Sequence, residues 1–263
     1  MPVKLLVRVM LCAFAASCAT DNRKPDVPFP AFVETDVIEE QFLAALPGVR
    51  ARTWRSDART RTLSGRVDIP FDWKGTTGGE PGKSLEIFIL DGELRFSEFA
   101  LGPGGYAYVP PGSLGFRLES DIGAQVLYFV EEVDPSAVIR SPIIIDTNLL
   151  EWQQVMPGVF ERELRSDPGS GARTWLRRIE PGARLPWQSI NTAREGYLVS
   201  GRITHTECVD GQAATWEYLP GGYFLRPPNT INGGPAAGAT IESTWFLRQD
   251  AAGRITDESG CAP

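Results

Sequence analysis

An internal repeat constrains the architecture of this chain of 263 residues more than any other feature. The segment Glu86 to Gly92 is followed by Gly104 to Gly112, and the segment Glu195 to Gly201 is followed in the same way by Gly221 to Asn229. Each copy has a strand-like run that ends in glycine, then a Gly-Gly-Tyr turn and a Pro-Pro pair. The sequence therefore predicts two similar domains of about 110 residues each.

The residues between these glycines and prolines predict β-structure. Stretches rich in β-branched and aromatic residues lie between Gly, Pro, Asp or Asn, a pattern typical of short strands. The predicted strands are Leu85 to Leu90, Gly105 to Val109, Gln125 to Val130, Trp175 to Ile179, Gly196 to Val199, Tyr223 to Arg226 and Thr240 to Leu247. Short helices are predicted at Glu34 to Leu46 and at Leu149 to Val155. The junction segment Ile143 to Asp146 is predicted to be an exchanged or packing strand.

Each copy resembles a cupin, a small β-barrel with two motifs. The first motif is Gly, five residues, His-x-His, three or four residues, Glu, about six residues and Gly, and the second is Gly, five residues, Pro-x-Gly, two residues and His. The second copy places Gly182, Gln188, Ile190, Glu195, Gly201, Gly221, Pro227, Asn229 and Asn232 at these positions. The resemblance implies an all-β fold of two tandem cupin barrels of the RmlC-like jelly-roll type, with a few short helices. Among cupins, the chain is similar to the double-barrel group related to the cupin half of ChrR-type anti-sigma factors.

The histidines that bind metal in cupins are missing from both copies. The resemblance assigns the ligand positions of the second copy to Gln188, Ile190, Glu195 and Asn232, and the last position of the first copy to Gly115. One glutamate and two amides do not provide the nitrogen donors that first-row transition metals prefer. The sequence therefore predicts that neither barrel holds a metal, and no cofactor is expected.

The remaining polar residues predict a pocket for an organic ligand in the second barrel. If the motif glutamates point into the barrels, as the resemblance implies, each lumen is aromatic and aliphatic with one carboxylate. The candidate ligand-binding residues are Gln188, Glu195, Tyr197, Arg226, Asn232 and Glu86, with Arg226 as an anchor for a carboxylate. In the alternative, each glutamate is tied by a hydrogen bond or an arginine in a solid barrel, because a buried unpaired carboxylate is costly.

Two other classes of function stay open. The protein is an enzyme if Glu195 works with Tyr197 or with His205 in metal-independent acid-base catalysis of an isomerase or lyase type. An atypical metal-dependent oxygenase is the other enzymatic hypothesis, and in the alternative His205 is a structural residue on a strand. Filled barrels would instead indicate a structural or interaction module, and the resemblance also implies a homodimer.

The N-terminal residues predict export and lipid attachment. Residues 1–17 carry Lys4 and Arg8 ahead of a short apolar run, and they end in a sequence similar to the cleavage box of bacterial lipoproteins. Cys18 is therefore the predicted lipidation site, with an ordinary secretory signal as the alternative. The lipid would hold the protein at the periplasmic face of the outer membrane.

The rest of the chain divides around the repeat. Residues 18–32 are proline-rich and predict an extended tether, residues 33–140 and 141–250 are assigned to the two barrels, and residues 251–263 form a tail. A formal net charge of −7 with no basic run argues against nucleic acid. The expected partners are a small organic ligand and, through the lipid, the membrane. In an oxidising compartment Cys208 and Cys261 can pair, and two separate thiols are the alternative.

Overall fold

The structure is a computed structural model that describes residues 32–209 and 211–261. Within them the regular secondary structure is almost entirely β-strand, with two 3-10 turns at Thr35–Val37 and Thr147–Leu149. The predicted all-β fold of two jelly-roll barrels is confirmed. The predicted signal peptide, Cys18 and nearly all of the tether lie outside the described residues. Among those described, no helix is both long enough and apolar enough to cross a bilayer.

The strands follow one another in two similar series. The first series is β1 (Val33–Glu34), β2 (Gln41–Phe42), β3 (Arg50–Asp57), β4 (Thr62–Ile69), β5 (Trp73–Thr77), β6 (Lys83–Gly92), β7 (Leu94–Phe96), β8 (Phe99–Leu101), β9 (Gly105–Val109), β10 (Phe116–Ser120) and β11 (Ala124–Glu132). The second series is β12 (Ile143–Asp146), β13 (Gln153–Met156), β14 (Val159–Ser166), β15 (Arg173–Ile179), β16 (Gln188–Ile190), β17 (Arg194–Val209), β18 (Gln212–Tyr218), β19 (Gly222–Arg226), β20 (Gly238–Gln249) and β21 (Ile255–Asp257). Every predicted strand lies inside or coincides with one of these elements.

Each barrel is built on one large antiparallel sheet. The order in the first barrel is β12-β9-β6-β11-β4-β3-β2, and a four-stranded sheet β5-β10-β7-β8 covers its other side. The order in the second barrel is β1-β19-β17-β20-β15-β14-β13, with β18 paired to the far part of β17. The short pair β16-β21 completes the second barrel at one end.

The two barrels exchange their first strands. Strand β1 precedes the first barrel but pairs with β19 of the second, and β12 precedes the second barrel but pairs with β9 of the first. The exchanged strand predicted at Ile143 to Asp146 is therefore confirmed. The same anchor follows each strand: the hydroxyl of Thr35 donates to the carbonyl of Gly221 at 2.7 Å, and that of Thr147 donates to the carbonyl of Gly104 at 2.6 Å.

The two predicted helices are wrong for the same reason. The acidic residues around Glu34 favour a helical first turn, but Thr35 is fully buried and both its amide and its hydroxyl bond to the opposite barrel. The chain therefore makes one 3-10 turn and continues as an extended arm. The segment after Thr147 does the same and then enters β13 at Gln153. Tertiary contacts override local propensity at both places.

Three hydrophobic clusters fill the protein, one in each barrel and one between them. The first barrel encloses residues such as Ile87 and Val126, and the second encloses residues such as Trp175 and Trp245. The third cluster lies where the two large sheets face each other and is rich in aromatic rings. Phe88 and Phe246 meet there with ring centroids 5.0 Å apart. The barrels therefore pack face to face through a buried aromatic layer.

Candidate functional site

The two motif glutamates face the layer between the barrels and not the barrel lumens. In β6, Leu85 and Ile87 belong to the core of the first barrel, whereas Glu86 is buried on the opposite face, beside Phe88 of the shared layer. The prediction that the glutamates point into the barrels is therefore wrong. Only five residues separate each glutamate from its following glycine, whereas the cupin motif has about six, and a shift of one residue turns a side chain to the other face of a strand.

Glu86 is held by four groups from both barrels. It accepts hydrogen bonds from Tyr106 at 2.7 Å and Thr174 at 2.6 Å, and it pairs with Arg165 at 3.1 Å and Arg248 at 3.0 Å. Complete burial alone would raise the pKa of this carboxyl, but the two guanidinium groups outweigh it and lower the pKa to about 2. Glu86 is thus a charged structural residue of the interface.

Glu195 has the equivalent place in the second barrel. It accepts a hydrogen bond from Tyr223 at 2.8 Å and pairs with Arg248. Burial and the nearby carboxylate of Glu131 raise the pKa of Glu195 in spite of Arg248. Tyr197 also lies in this layer, stacked on Trp54 with centroids 5.7 Å apart. The roles predicted for Glu86, Glu195 and Tyr197 in a barrel pocket are therefore wrong.

A cavity of about 370 Å³ occupies the lumen of the second barrel. Four of the predicted site residues line it, namely Gln188, His205, Arg226 and Asn232. The wall also contains four ionisable residues that were not predicted, namely Glu161, Arg173, Arg177 and Arg194. Apolar side chains such as Phe224 and Trp245 form the rest of the wall. The lumen is therefore a partly apolar chamber with an unusual number of guanidinium groups.

Two of these arginines share one carboxylate. Glu161 pairs with Arg173 at 2.7 Å and accepts a hydrogen bond from Nε of Arg177 at 2.9 Å. Arg226 pairs at 2.8 Å with Glu207, which is fully buried behind it. These three guanidinium groups are thus held in fixed positions by carboxylates. Fixed positions are what a binding site needs, because less side-chain freedom is lost when a ligand binds.

Arg194 differs from the other three arginines. Within the described residues no carboxylate oxygen lies within 4.0 Å of its guanidinium group, and its polar partner is the side-chain amide oxygen of Gln249 at 3.3 Å. Burial, together with the positive charges of Arg177 and Arg226, lowers the pKa of Arg194 to about 9. The group stays charged at neutral pH but is poorly compensated. Its environment would be improved by a negative charge in the cavity.

Two further polar atoms in the lumen lack a protein partner. Nη2 of Arg226 and Nδ1 of His205 are buried and make no hydrogen bond to the described residues. Burial and the charge of Arg226 lower the pKa of His205 well below its ordinary value, so that its imidazole is neutral. A buried polar atom without a partner costs about 1–3 kcal/mol, so these two atoms add to the cost of a charged lumen.

The repeat shows that packing does not require these charges. In the second barrel Arg194 lies opposite Arg226 on the neighbouring strand, and in the first barrel the equivalent residues are Leu85 and Val109. The same comparison matches the charged lumen residues Glu161, Arg173 and Arg177 with Ala51, Leu63 and Val67. The first barrel has aliphatic side chains at the same positions. Because burying ions is costly, the charged lumen of the second barrel has a purpose other than stability.

The donor set does not fit the metal of metal-binding cupins. If six residues separate the ligand glutamate from Gly201, as in the cupin motif, Arg194 occupies the position of that glutamate. The histidine positions are then held by Gln188, Ile190 and Asn232. A guanidinium group repels a metal ion and has no lone pair to donate. Within the described residues, no cluster of three or more His, Cys, Asp or Glu side chains could hold a metal. The same count in the sequence would have identified Arg194.

The C-terminal tail forms part of the cavity wall. Strand β21 pairs with β16, so that Ile255 reaches the cavity, and Ser189 donates a hydrogen bond to Glu258 at 2.6 Å. Cys208 and Cys261 form a disulfide in the structure, with Cα atoms 5.3 Å apart. The tail is therefore fixed to the second barrel by a strand pair and a covalent link.

The fold and this lumen define a protein with cupin-type barrels, and comparison with known proteins agrees. Residues 140–232 match the family model described as the ChrR Cupin-like domain. This match covers most of the second barrel up to Asn232. No curated protein gives a match to the sequence.

Solved structures extend the similarity to both barrels. A protein from Nostoc punctiforme, provisionally described as a dioxygenase, is 18% identical, with a TM-score of 0.68 over 87% of this chain and 86% of its own. A Pseudomonas aeruginosa protein, provisionally described as glyoxylate-induced, is 14% identical, with a TM-score of 0.69 over 88% and 92%. Oxalate decarboxylase from Bacillus subtilis is 13% identical, with a TM-score of 0.63 over 86% and 78%. At these identities the similarity shows the fold and not the activity.

Proposed function

We propose that the second barrel binds a small organic anion, with a carboxylate as its charged group. The observation that carries this proposal is that the second barrel has charged residues at lumen positions where the first barrel has aliphatic residues. A cupin fold supports a role in binding or converting small molecules. The cavity of about 370 Å³ is near the lower end of the range of about 300–1,000 Å³ for ligand sites, which favours a small ligand.

The contacts of the ligand follow from the residues that line the cavity. Its carboxylate would lie between the guanidinium groups of Arg194 and Arg226, where charge-assisted hydrogen bonds are strong. The added negative charge would compensate Arg194. The side chains of Gln188, Asn232 and His205 would orient the rest of the molecule, and Phe224 and Trp245 would contact its apolar part.

The proposal includes a location outside the cytoplasm. The N-terminal pattern supports lipid attachment at Cys18 and anchoring at the periplasmic face of the outer membrane. The disulfide between Cys208 and Cys261 is compatible with that location, because such bonds persist in oxidising compartments. A homodimer remains part of the proposal by resemblance alone.

Metal-independent acid-base catalysis is the second candidate function. A neutral, buried His205 lies in the same cavity as the anion-binding arginines, so that its imidazole could accept a proton from the carbon next to the carboxylate of a bound acid. Of the three residues first considered for catalysis, His205 is the one that the cavity contains. An isomerase or lyase acting on a small organic acid would use this arrangement.

Ligand screening with paired compounds tests the proposal. Small mono- and dicarboxylic acids should raise the melting temperature of the wild-type protein, and the corresponding neutral amides should not. Arg194→Met should lower the affinity for the best acid by 10-fold or more, whereas Arg202→Met, which alters an exposed arginine 3.8 Å from Glu217, should leave it unchanged. Equal binding of acids and amides, or an unaffected Arg194→Met variant, would exclude anion binding here. Turnover of a bound acid that is lost in His205→Gln would favour the enzyme.

A further inference from the structure

A second, larger cavity lies in the first barrel, and the proposed function does not use it. Its volume is about 690 Å³. Lumen-facing side chains of three neighbouring strands form its floor, namely Leu63, Leu85 and Val130, and Ala51 of β3 adds a small side chain. The opposite end of the same lumen is filled by larger apolar residues such as Phe96 and Leu118. The barrel is thus packed at one end and hollow at the other.

The charges around this cavity are compensated. Lys83 pairs with Glu80 at 3.2 Å, and Arg61 also pairs with Glu80 at the rim. Asp57 is exposed there and accepts hydrogen bonds from the amides of Arg59 at 2.7 Å and Thr60 at 3.2 Å. In contrast to the second barrel, the lumen strands offer aliphatic side chains where that barrel has arginines. The cavity therefore disfavours an anion and favours a neutral, mainly apolar molecule.

One pair of hydrogen-bonded hydroxyl groups lies in the wall of the cavity. The hydroxyls of Tyr128 and Thr77 are 2.7 Å apart, and both residues line the cavity. A single hydrogen bond between two hydroxyls consumes one proton, so that the accepting hydroxyl keeps its own proton for another acceptor. Tyr128 is buried and its ring packs in the core, which fixes the position of this donor. The pair is suited to a carbonyl, ether or hydroxyl oxygen of a ligand.

We infer that the first barrel is a separate binding site for a neutral, mainly apolar molecule that carries one oxygen acceptor. The acceptor would bond to the Tyr128–Thr77 pair, and the apolar body would lie against Leu63, Leu85 and Val130. The protein would then hold two ligands of different chemistry, one in each barrel. This inference does not depend on anion binding in the second barrel.

Titration with the neutral dye Nile red tests the inference, because its fluorescence rises and shifts to the blue in apolar surroundings and it carries a carbonyl group. The wild-type protein should bind one dye with a micromolar dissociation constant. Ala51→Phe and Thr53→Trp, which fill the cavity from β3, should each weaken binding 10-fold or more. Tyr128→Phe should weaken it by a smaller factor of about 3 to 10, through loss of one hydrogen bond.

Two controls separate this site from the second barrel. Leu185→Phe places a larger side chain in the cavity of the second barrel and should leave dye binding unchanged. Arg194→Met in the same cavity should also leave it unchanged. Circular dichroism and a melting curve identify any variant that fails to fold. If one of the two filling variants does not fold, dye binding is judged from the other. The inference is overturned if the wild-type protein shows no saturable binding of one dye, or if a folded filling variant binds like the wild-type protein. Either result leaves the carboxylate screen unaffected.

Discussion

Replacing Arg194 by methionine should stabilise the ligand-free protein. Folding moves this guanidinium group into a site that lowers its pKa from its ordinary value to about 9. Because the folded-state pKa is lowered, the cost of burying the charge has its full value below about pH 9, including pH 7, and it declines only as the pH rises from there towards the ordinary pKa of arginine. A depression of this size corresponds to about 5 kcal/mol as an upper limit, since water at the cavity mouth screens part of it.

Losses in the variant reduce this gain. Methionine gives up the hydrogen bond to Gln249, worth about 1 kcal/mol, and the contact with the ring of Trp175 at 5.1 Å, worth about 0.5–1 kcal/mol. Methionine keeps much of the apolar contact and fills irregular space well. The expected net effect is an increase of about 1–3 kcal/mol in the free energy of unfolding, after screening is allowed for.

Urea unfolding at pH 7 measures this effect as a higher midpoint with an unchanged slope. Arg173→Met is the control in the same cavity, because Arg173 is paired with Glu161 at 2.7 Å and its loss should lower stability by about 1–2 kcal/mol. Ligand should narrow the stability difference between the two proteins: a carboxylate at 100 times its wild-type dissociation constant adds about 2.7 kcal/mol to the wild-type protein, and about 1.4 kcal/mol or less to a variant that binds it 10-fold or more weakly. A clear loss of stability in ligand-free Arg194→Met would refute the view that Arg194 is kept for binding.

Three other substitutions test the framework around the cavities. Arg248→Met should destabilise the protein by about 3–5 kcal/mol in urea unfolding, because it removes the guanidinium group shared by three buried carboxylates, and a loss below 1 kcal/mol would contradict the interface described here. Glu86→Gln should remove a stabilising contribution of about 3 kcal/mol, which the wild-type protein has in full above about pH 4.5 and loses as the pH falls towards 2. The stability difference between the two proteins should therefore narrow over that range, and a constant difference would exclude this contribution. Gly92→Ala should cost more than Gly82→Ala in thermal melts, because both glycines have positive φ but a Cβ at Gly92 would lie 2.1 Å from the carbonyl oxygen of Gly123; equal costs would refute the clash.

The repeat in the sequence was sufficient to predict the all-β fold and the strands. Alternating apolar residues and turn residues are local signals, and they recur in both copies, so that each copy supports the assignment of the other. The segment after Glu34 was misassigned because its course depends on a hydrogen bond to Gly221, which is 186 residues away from Thr35. No local pattern reports such a contact.

The face of the motif strands was the decisive error at the site. Glu86 and Glu195 attracted attention because they are acidic, but the residue before each one, Leu85 or Arg194, faces the lumen. In a strand the difference between the two faces is one position, and the spacing to the next glycine carries that information. The aromatic layer between the barrels could not be predicted, because it depends on how two domains dock. Arg226 was identified as an anchor from residue chemistry, although its orientation needed the structure.

The exchange of strands β1 and β12 gives the chain an order of assembly. Ile143 pairs with Tyr108, and β12 follows the first barrel directly in the chain. The first barrel can therefore gain this edge strand as soon as β12 has left the exit channel of the ribosome or translocon. Val33 pairs with Tyr223, and this partner emerges only after almost the whole chain has been made. The N-terminal arm therefore has to wait, and its docking closes the assembly. A chain cut between the barrels at residue 140 would leave β9 and β19 each with an open edge, which is a site for pairing with other chains.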